Sequence, residues 1–271
     1  MNVLANLVWR TTSGSTVTLV GALAIAAVGA SKFDVEFVIG GLRRTGALEA
    51  CWHEQLESSA PVRPFPTTRR RGQVSFAGFR WSAKTGRHVG YESWLERDHA
   101  VLLDFDPRVL AFSSQPFRLH WRDALGLRRH VPDYFVRRDD GSAFVLDVRE
   151  DDRIGERDAE LFAATAQACA RVGWGYHRLG AVDAVLAANL RWLSAYRHPR
   201  FWRDEEARRL LRVFATPAGL FDGADEAGRG NRLGVLPVLF HLMWRGLIAA
   251  ELSSAVLGPS TSAVVAASGG R

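Results

Sequence analysis

Three acidic residues of this 271-residue chain stand out because each sits in an unusual neighbourhood. Glu96 lies one turn after Glu92 on a stretch with helical patterning, so the two carboxylates share a face. Asp133 follows Pro132 and opens the apolar run Tyr134-Phe135-Val136, and Asp147 is set inside Phe144-Val145-Leu146-Asp147-Val148-Arg149, among strand formers. A carboxylate in a core strand is costly unless it is paired or bound to metal. Asp133 and Asp147 fall on neighbouring strands of one expected hairpin, which lets their side chains converge. Oxygen ligands of this kind suit Mg²⁺ or Mn²⁺. Two such ions can activate a water and stabilise the leaving 3′ oxygen in phosphodiester hydrolysis. Taken singly, each residue also has a structural reading: Asp133 as a strand cap, Asp147 as a partner of Arg149 or Arg137, Glu96 as a surface carboxylate. The ordered set says more than its members: a helix Glu, a Pro-Asp opening a strand, and an Asp-x-Arg ending the next.

Other chemistries find less support. His88, His99, His120 and His130 match no compact zinc-ligand spacing and read as core or DNA-facing side chains. Trp121, Trp174 and Trp192 read as core. No phosphate-loop glycine motif occurs, so any ATP would come through a partner. Cys51 and Cys169 are far apart and build neither a ligand set nor a disulfide framework, and a reducing cytoplasm is the expected compartment.

The elements that must position the carboxylates follow from periodicity. A helix is expected from Glu92 to Leu103, with Trp94, Leu95, Val101 and Leu102 as its buried stripe and Asp106-Pro107 as its end. Strands are expected at Val109–Ser113, Phe117–Trp121, Val131–Arg137 and Phe144–Arg149, the last two joined by the turn Asp139-Asp140-Gly141. An Ala-rich helix over 153–172, a strand Trp174–Arg178 and a helix Val182–Tyr196 complete an α/β pattern of helices covering a mixed sheet. Upstream lie a strand Val35–Ile39 and a helical patch near Leu48–Leu56. Downstream, helices at Asp204–Phe214 and Leu236–Ile248 precede a hairpin of 247–252 with 261–267, an order that suits a winged-helix module.

Four segments result: an N-terminal extension (1–34), a strand and basic segment (35–84), the α/β core (85–199) and a C-terminal helical unit (200–271), with His198-Pro199 marking the last boundary. The extension has no charge between Arg10 and Lys32. It reads as signal-like, ending near Val28-Gly29-Ala30, or as an over-called start, and it is too short for a comfortable membrane span. No membrane partner is expected.

Bulk composition agrees with a folded, basic protein. Apolar residues make up 47% and charged residues 24%, which excludes a disordered chain. The net charge of +6 and a pI near 10.0 favour nucleic acid or another anionic surface. Residues 58–91 carry basic side chains, including Arg69-Arg70-Arg71, and no acidic one. With Phe65, Phe76, Phe79 and Trp81 interleaved, this stretch suits contact with a phosphate backbone, or a solvated linker whose aromatics pack on the core.

The ordered set E…PD…D-x-R resembles the restriction-endonuclease-like core pattern. Five runs together resemble the TnsA-like endonuclease subunits of heteromeric transposases. They are Gly86–Asp98, Leu103-Asp104-Phe105-Asp106-Pro107, Ser114-Gln115-Pro116-Phe117, Val131-Pro132-Asp133-Tyr134-Phe135 and Leu146-Asp147-Val148-Arg149. The resemblance covers about residues 85–200. It implies a metal-dependent DNA endonuclease that cuts at the 5′ ends of a mobile element. It implies a catalytic set of Glu96, Asp133, Asp147 and Arg149, the three acids holding Mg²⁺ or Mn²⁺. Its implied partners are double-stranded DNA of the transposon ends, a DDE-type transposase subunit and an AAA+ ATPase regulator near the C-terminal unit. Arg149 departs from the family's usual Lys: arginine stays charged, so it could orient a phosphate while base work fell to a carboxylate or to the metal. A non-catalytic DNA-binding or assembly subunit, and a stand-alone restriction or repair nuclease, fit the same residues.

Overall fold

The computed structural model describes residues 32–65, 76–124 and 126–267. The N-terminal extension up to residue 31 and Arg69-Arg70-Arg71, both read for function above, lie outside these residues. The described chain is mixed α/β and divides into two compact units: residues 32–103 with 108–181, and residues 182–267 with the short stretch 104–107.

The first unit begins with the hairpin β1 (Phe33–Ile39) and β2 (Leu42–Ala47), turned at Gly40-Gly41, where both φ angles are positive and favour glycine. A one-turn helix α1 (Leu48–Cys51) and a two-stranded ribbon of β3 (Gly78–Trp81) and β4 (His88–Tyr91) follow. Then come α2 (Trp94–Phe105), β5 (Val109–Ser114), β6 (Phe117–Asp123), β7 (Gly126–His130), β8 (Tyr134–Arg138), β9 (Ala143–Val148), α3 (Glu156–Arg171) and β10 (Gly175–Leu179).

These strands form two four-stranded sheets, ordered β2-β1-β6-β7 and β10-β9-β8-β5. In the second sheet β5, β8 and β9 pair antiparallel, whereas β9 and β10, joined through α3, pair parallel. β9 sits between two partners and is buried along its whole length, as a strand covered on both faces must be. The core joins both sheets to α3: Phe33, Val35 and Phe37 from β1 and Phe117, Leu119 and Trp121 from β6 meet Phe135, Val145, Ala164 and Ala168. The described residues of the segment 35–84 therefore pack in the same unit as the core, because one face of β1 is apolar and completes it.

The second unit carries α4 (Ala184–Leu193), α5 (Asp204–Val213), β11 (Ala218–Gly219), α6 (Leu220–Gly228), α7 (Arg232–Trp244), β12 (Ile248–Ala250) and β13 (Ser262–Val265), with strand order β11-β13-β12. The sequence pattern starts this unit after residue 199, whereas packing starts it at Val182 and so includes α4. Asn189 of α4 explains the grouping: its side chain donates to the carbonyls of Leu252 and Ala255 and accepts from the Leu257 amide. The helix expected at Leu236 begins earlier, at Arg232, where Asn231 caps it by accepting from the Gly234 amide at 3.1 Å. Among the described residues no helix is long and apolar enough to cross a membrane.

Candidate functional site

Glu96 stands in the first turn of α2. Ser93 caps this helix: its hydroxyl accepts from the Glu96 amide at 3.1 Å and donates to Glu96 Oε1 at 2.9 Å. The other carboxylate oxygen, Oε2, accepts from the Glu92 amide at 2.6 Å. Burial nonetheless raises the Glu96 carboxyl above the usual carboxylate range, and the Glu92 charge adds to the rise. Arg63 pairs with Glu92 at 2.6 Å. Trp94, expected in a buried stripe, is instead 46% exposed and stacks on Phe76.

Asp133 is fixed by its backbone just before β8. Its carbonyl accepts from Gln115 at 2.8 Å and its amide donates to Leu146 at 3.1 Å, so it prolongs the ladders to β5 and β9. The register pairs Tyr134 with Leu146, and one step further it sets Asp133 opposite Asp147, on the same face. Asp133 Oδ2 accepts the Val148 amide at 2.7 Å. Burial pushes this carboxyl well above its ordinary range, and the surrounding charges push it the same way, because they are the acids Glu96, Asp147 and Glu92.

Asp147 is 2% exposed. His130 Nε2, at the end of β7, lies 2.9 Å from its Oδ1, and the Tyr176 hydroxyl of β10 donates to its Oδ2 at 2.8 Å. Burial and the Asp147 charge hold the Tyr176 phenol well above its ordinary range. Arg149, two residues further along the same face, pairs with Asp158 of α3 at 3.2 Å, and the Asp158 carboxylate also accepts from the Gly155 amide at 3.4 Å. Arg149 therefore belongs to the start of α3 as much as to β9.

Glu92, Glu96, Asp133 and Asp147 line one cavity of about 510 Å³. Arg63, Arg118, Arg129, Arg149 and His130 contribute to the same lining, so acids and cations share one water-accessible volume. All four residues expected from the sequence are brought together here. Among the described residues no three His, Cys, Asp or Glu side chains are gathered as a ready ligand shell. The donor chemistry still fits a hard divalent cation: the oxygens are carboxylates, they lie in one cavity, and the charges that act most strongly on Asp133 are those of Glu96, Asp147 and Glu92.

His130 and Tyr176 are the site residues that the sequence conceals. His130 ends a strand whose residues are mostly polar, and only the pairing of Leu119 with His130 brings it to the site. His99 is a core residue bonded to the Gly180 carbonyl at 2.8 Å, and His120 lies beside Glu36 at 3.4 Å. Trp121 and Trp174 are buried as expected, whereas Trp192 is 55% exposed. Compared with known proteins, the chain matches no family model, and no curated protein matches it in sequence.

Proposed function

We propose that the chain is a metal-dependent DNA endonuclease of the TnsA-like kind, with a restriction-endonuclease-like core and a winged-helix C-terminal unit. The observation that carries this reading is the cavity lined by Glu96, Asp133 and Asp147, in which the half-buried Asp133 carboxyl is raised by desolvation and by neighbouring acid charge. Acids whose pKa is raised by desolvation and by a specific charged neighbour, and which sit in a cleft, are candidates for a functional site. The element order supports the core assignment: α2, then the antiparallel β5, β8 and β9, then α3 and the parallel β10. The C-terminal order of helix, strand, two helices and hairpin supports the winged-helix assignment.

Glu96, Asp133 and Asp147 would hold Mg²⁺ or Mn²⁺, which when bound supplies a Lewis acid for the scissile phosphate and makes an attacking water more acidic. The chain's own residues set the rest. His130 and Tyr176 hold both oxygens of Asp147 and so fix its direction. Arg118 and Arg129 put positive charge at the cavity for the phosphate backbone, and Arg149 can neutralise charge that grows on the phosphate once it leaves Asp158. Arg149 cannot serve as a base, so a carboxylate of the cavity must take the water's proton.

The proposed DNA is a transposon-end duplex, cut at its 5′ ends, with a DDE-type transposase and an AAA+ ATPase regulator as partners. In α7, Val235 and every residue from Val238 to Trp244 are buried, leaving its first turn with Arg232 and Leu233 more accessible. That suits a protein partner better than insertion of the helix into a groove. A second reading, a non-cutting assembly subunit, draws on the Arg149–Asp158 pair and on the use of Glu96 as a helix cap. A nicking assay with Mg²⁺ or Mn²⁺ decides between them: wild type nicks a transposon-end duplex and Asp133→Asn does not. Inactive wild type that still binds the duplex in the presence of its transposase would favour the assembly subunit.

A further inference from the structure

The sheet β2-β1-β6-β7 has one face in the core and one facing away from it. Phe33, Val35 and Phe37 on β1 and Phe117, Leu119 and Trp121 on β6 point inward. Alternation sends the residues between them to the opposite face. Cross-strand register pairs Val38 with Arg43, Glu36 with Arg118, Asp34 with His120, His120 with Arg129, and Arg122 with Leu127. One surface therefore carries Arg43, Arg118, His120, Arg122 and Arg129.

The acid at the centre of that surface is Glu36. Arg43 contacts it, Arg118 approaches at 3.1 Å and His120 at 3.4 Å. Glu36 and the exposed Asp34, which pairs with His120 on the same face, are two carboxylates against four arginines and a histidine, so they cannot neutralise all of these groups. Arg122 and Arg129 are exposed and, among the described residues, have no ion-pair partner. Burial, Arg118 and Arg129 hold the His120 imidazole below the usual histidine range, even though Asp34 acts against them. Arg118 and Arg129 also line the carboxylate cavity, so the basic surface runs into the acidic one. Across four strands the surface spans roughly 14 Å at the usual strand spacing. That matches roughly four base-pair steps of duplex axis.

We propose that this sheet face is a track for the backbone phosphates of double-stranded DNA, leading the duplex to the carboxylate cavity, and that Glu36 is its built-in counter-ion. The proposal rests on the nuclease reading for its ligand, and it extends the phosphate contacts of Arg118 and Arg129 at the cavity to a whole sheet face. Glu36 orients the arginines without DNA, and phosphates compete with it for them when DNA arrives.

The test is the salt dependence of binding of the full-length chain to a labelled duplex, read by fluorescence anisotropy. For the double variant Arg122→Ala/Arg129→Ala, affinity should fall. The slope of log K against log salt should fall by roughly 1.8, about 0.9 for each phosphate no longer neutralised. Glu36→Gln keeps the arginines and removes their competitor, so it should bind more tightly than wild type. A thermal melt shows that each variant is folded. If wild type binds duplex with a steep salt slope and the double variant keeps both slope and affinity, this face is not the track and the proposal is overturned. Weaker binding by Glu36→Gln with its fold intact also counts against it. Failure of the nuclease reading looks different: wild type binds through this face but never nicks, which leaves the track standing. Wild type that binds no duplex at all overturns both.

Discussion

Asp133 is the residue on which the chemical reading depends most, and its environment gives a signed expectation. Its folded-state pKa lies well above the unfolded value because of burial and the neighbouring acids. Between those two values the folded chain holds a proton that the unfolded chain has lost, so this group's contribution to stability is present at low pH and is lost as pH rises through the window. Asp133→Asn removes the repulsion. We expect the metal-free variant to melt no lower than wild type, with the difference between them growing in the variant's favour as pH rises, while nicking falls by roughly 10²-fold or more. A variant that melts lower at every pH would show that Asp133 is a structural acid. Arg149 tests the site from the other side. Arg149→Ala should cut nicking by roughly 10²- to 10³-fold if the guanidinium stabilises developing charge, and Arg149→Lys should keep or raise activity. Equal rates for all three proteins would confine Arg149 to its pair with Asp158. Pro132-Asp133 and an Asp among strand formers announce themselves in one sequence, because each breaks a local rule. His130 and Tyr176 break none: a histidine after a polar strand and a tyrosine in a short strand are ordinary until strand order sets them against Asp147.

At the scale of elements, the entry to α2 positions Glu96. Ser93 fixes that turn from both sides, so Ser93→Ala should cost about 1 kcal/mol in a denaturant melt. It should also lower nicking more than that stability loss alone explains, because Glu96 is freed to turn. A melt displaced as expected with unchanged nicking would mean that the cap and the site are independent. Just upstream, Gly90 in β4 is needed for space: a Cβ there would meet Phe65 Cε2 at 2.2 Å. Gly90→Ala should therefore destabilise by about 1–3 kcal/mol, and an unchanged melting temperature would refute that packing. Such glycines explain why some elements are hard to read. Gly223 sits inside α6 because Phe214 fills the space where its Cβ would be, at 2.4 Å from Cζ. No helix is expected from the sequence between Phe214 and Leu236, where Gly223 interrupts the run. β2 and β7 are hidden for another reason: both are mostly polar, β2 is exposed along nearly its whole length and β7 alternates between exposed and half-buried, so neither shows an apolar alternation. The long apolar runs at β8 and β9 are legible because both of their faces are covered.

For the whole chain, fold and site can be probed through one linked equilibrium. Glu96 and Asp133 share a cavity in which burial and neighbouring acid charge favour the bound proton on each. A divalent cation that binds there must displace those protons, so its affinity rises with pH. A ligand that binds only the folded chain stabilises it by RT ln(1 + [L]/Kd), about 2.7 kcal/mol at a hundred times Kd. For a chain of this size that is a rise in melting temperature of roughly 5–10 °C. We therefore expect Mg²⁺ or Mn²⁺ to raise the melting temperature of wild type, and to raise it more on the alkaline side of the titration window than on the acid side. Asp133→Asn should lose most of the rise and nearly all of its pH dependence. The first unit holds every cavity residue, so the transition that moves should be the one that includes β8 and β9. Chelator should restore the metal-free melting temperature. Ca²⁺, which takes more ligands at longer distances, tests whether the cavity selects a small hard ion. A melting temperature unmoved by Mg²⁺ and Mn²⁺ at every pH, in protein shown to be folded, would leave the acids as a repulsive cluster with no ion to relieve it. The metal-dependent reading would then fall.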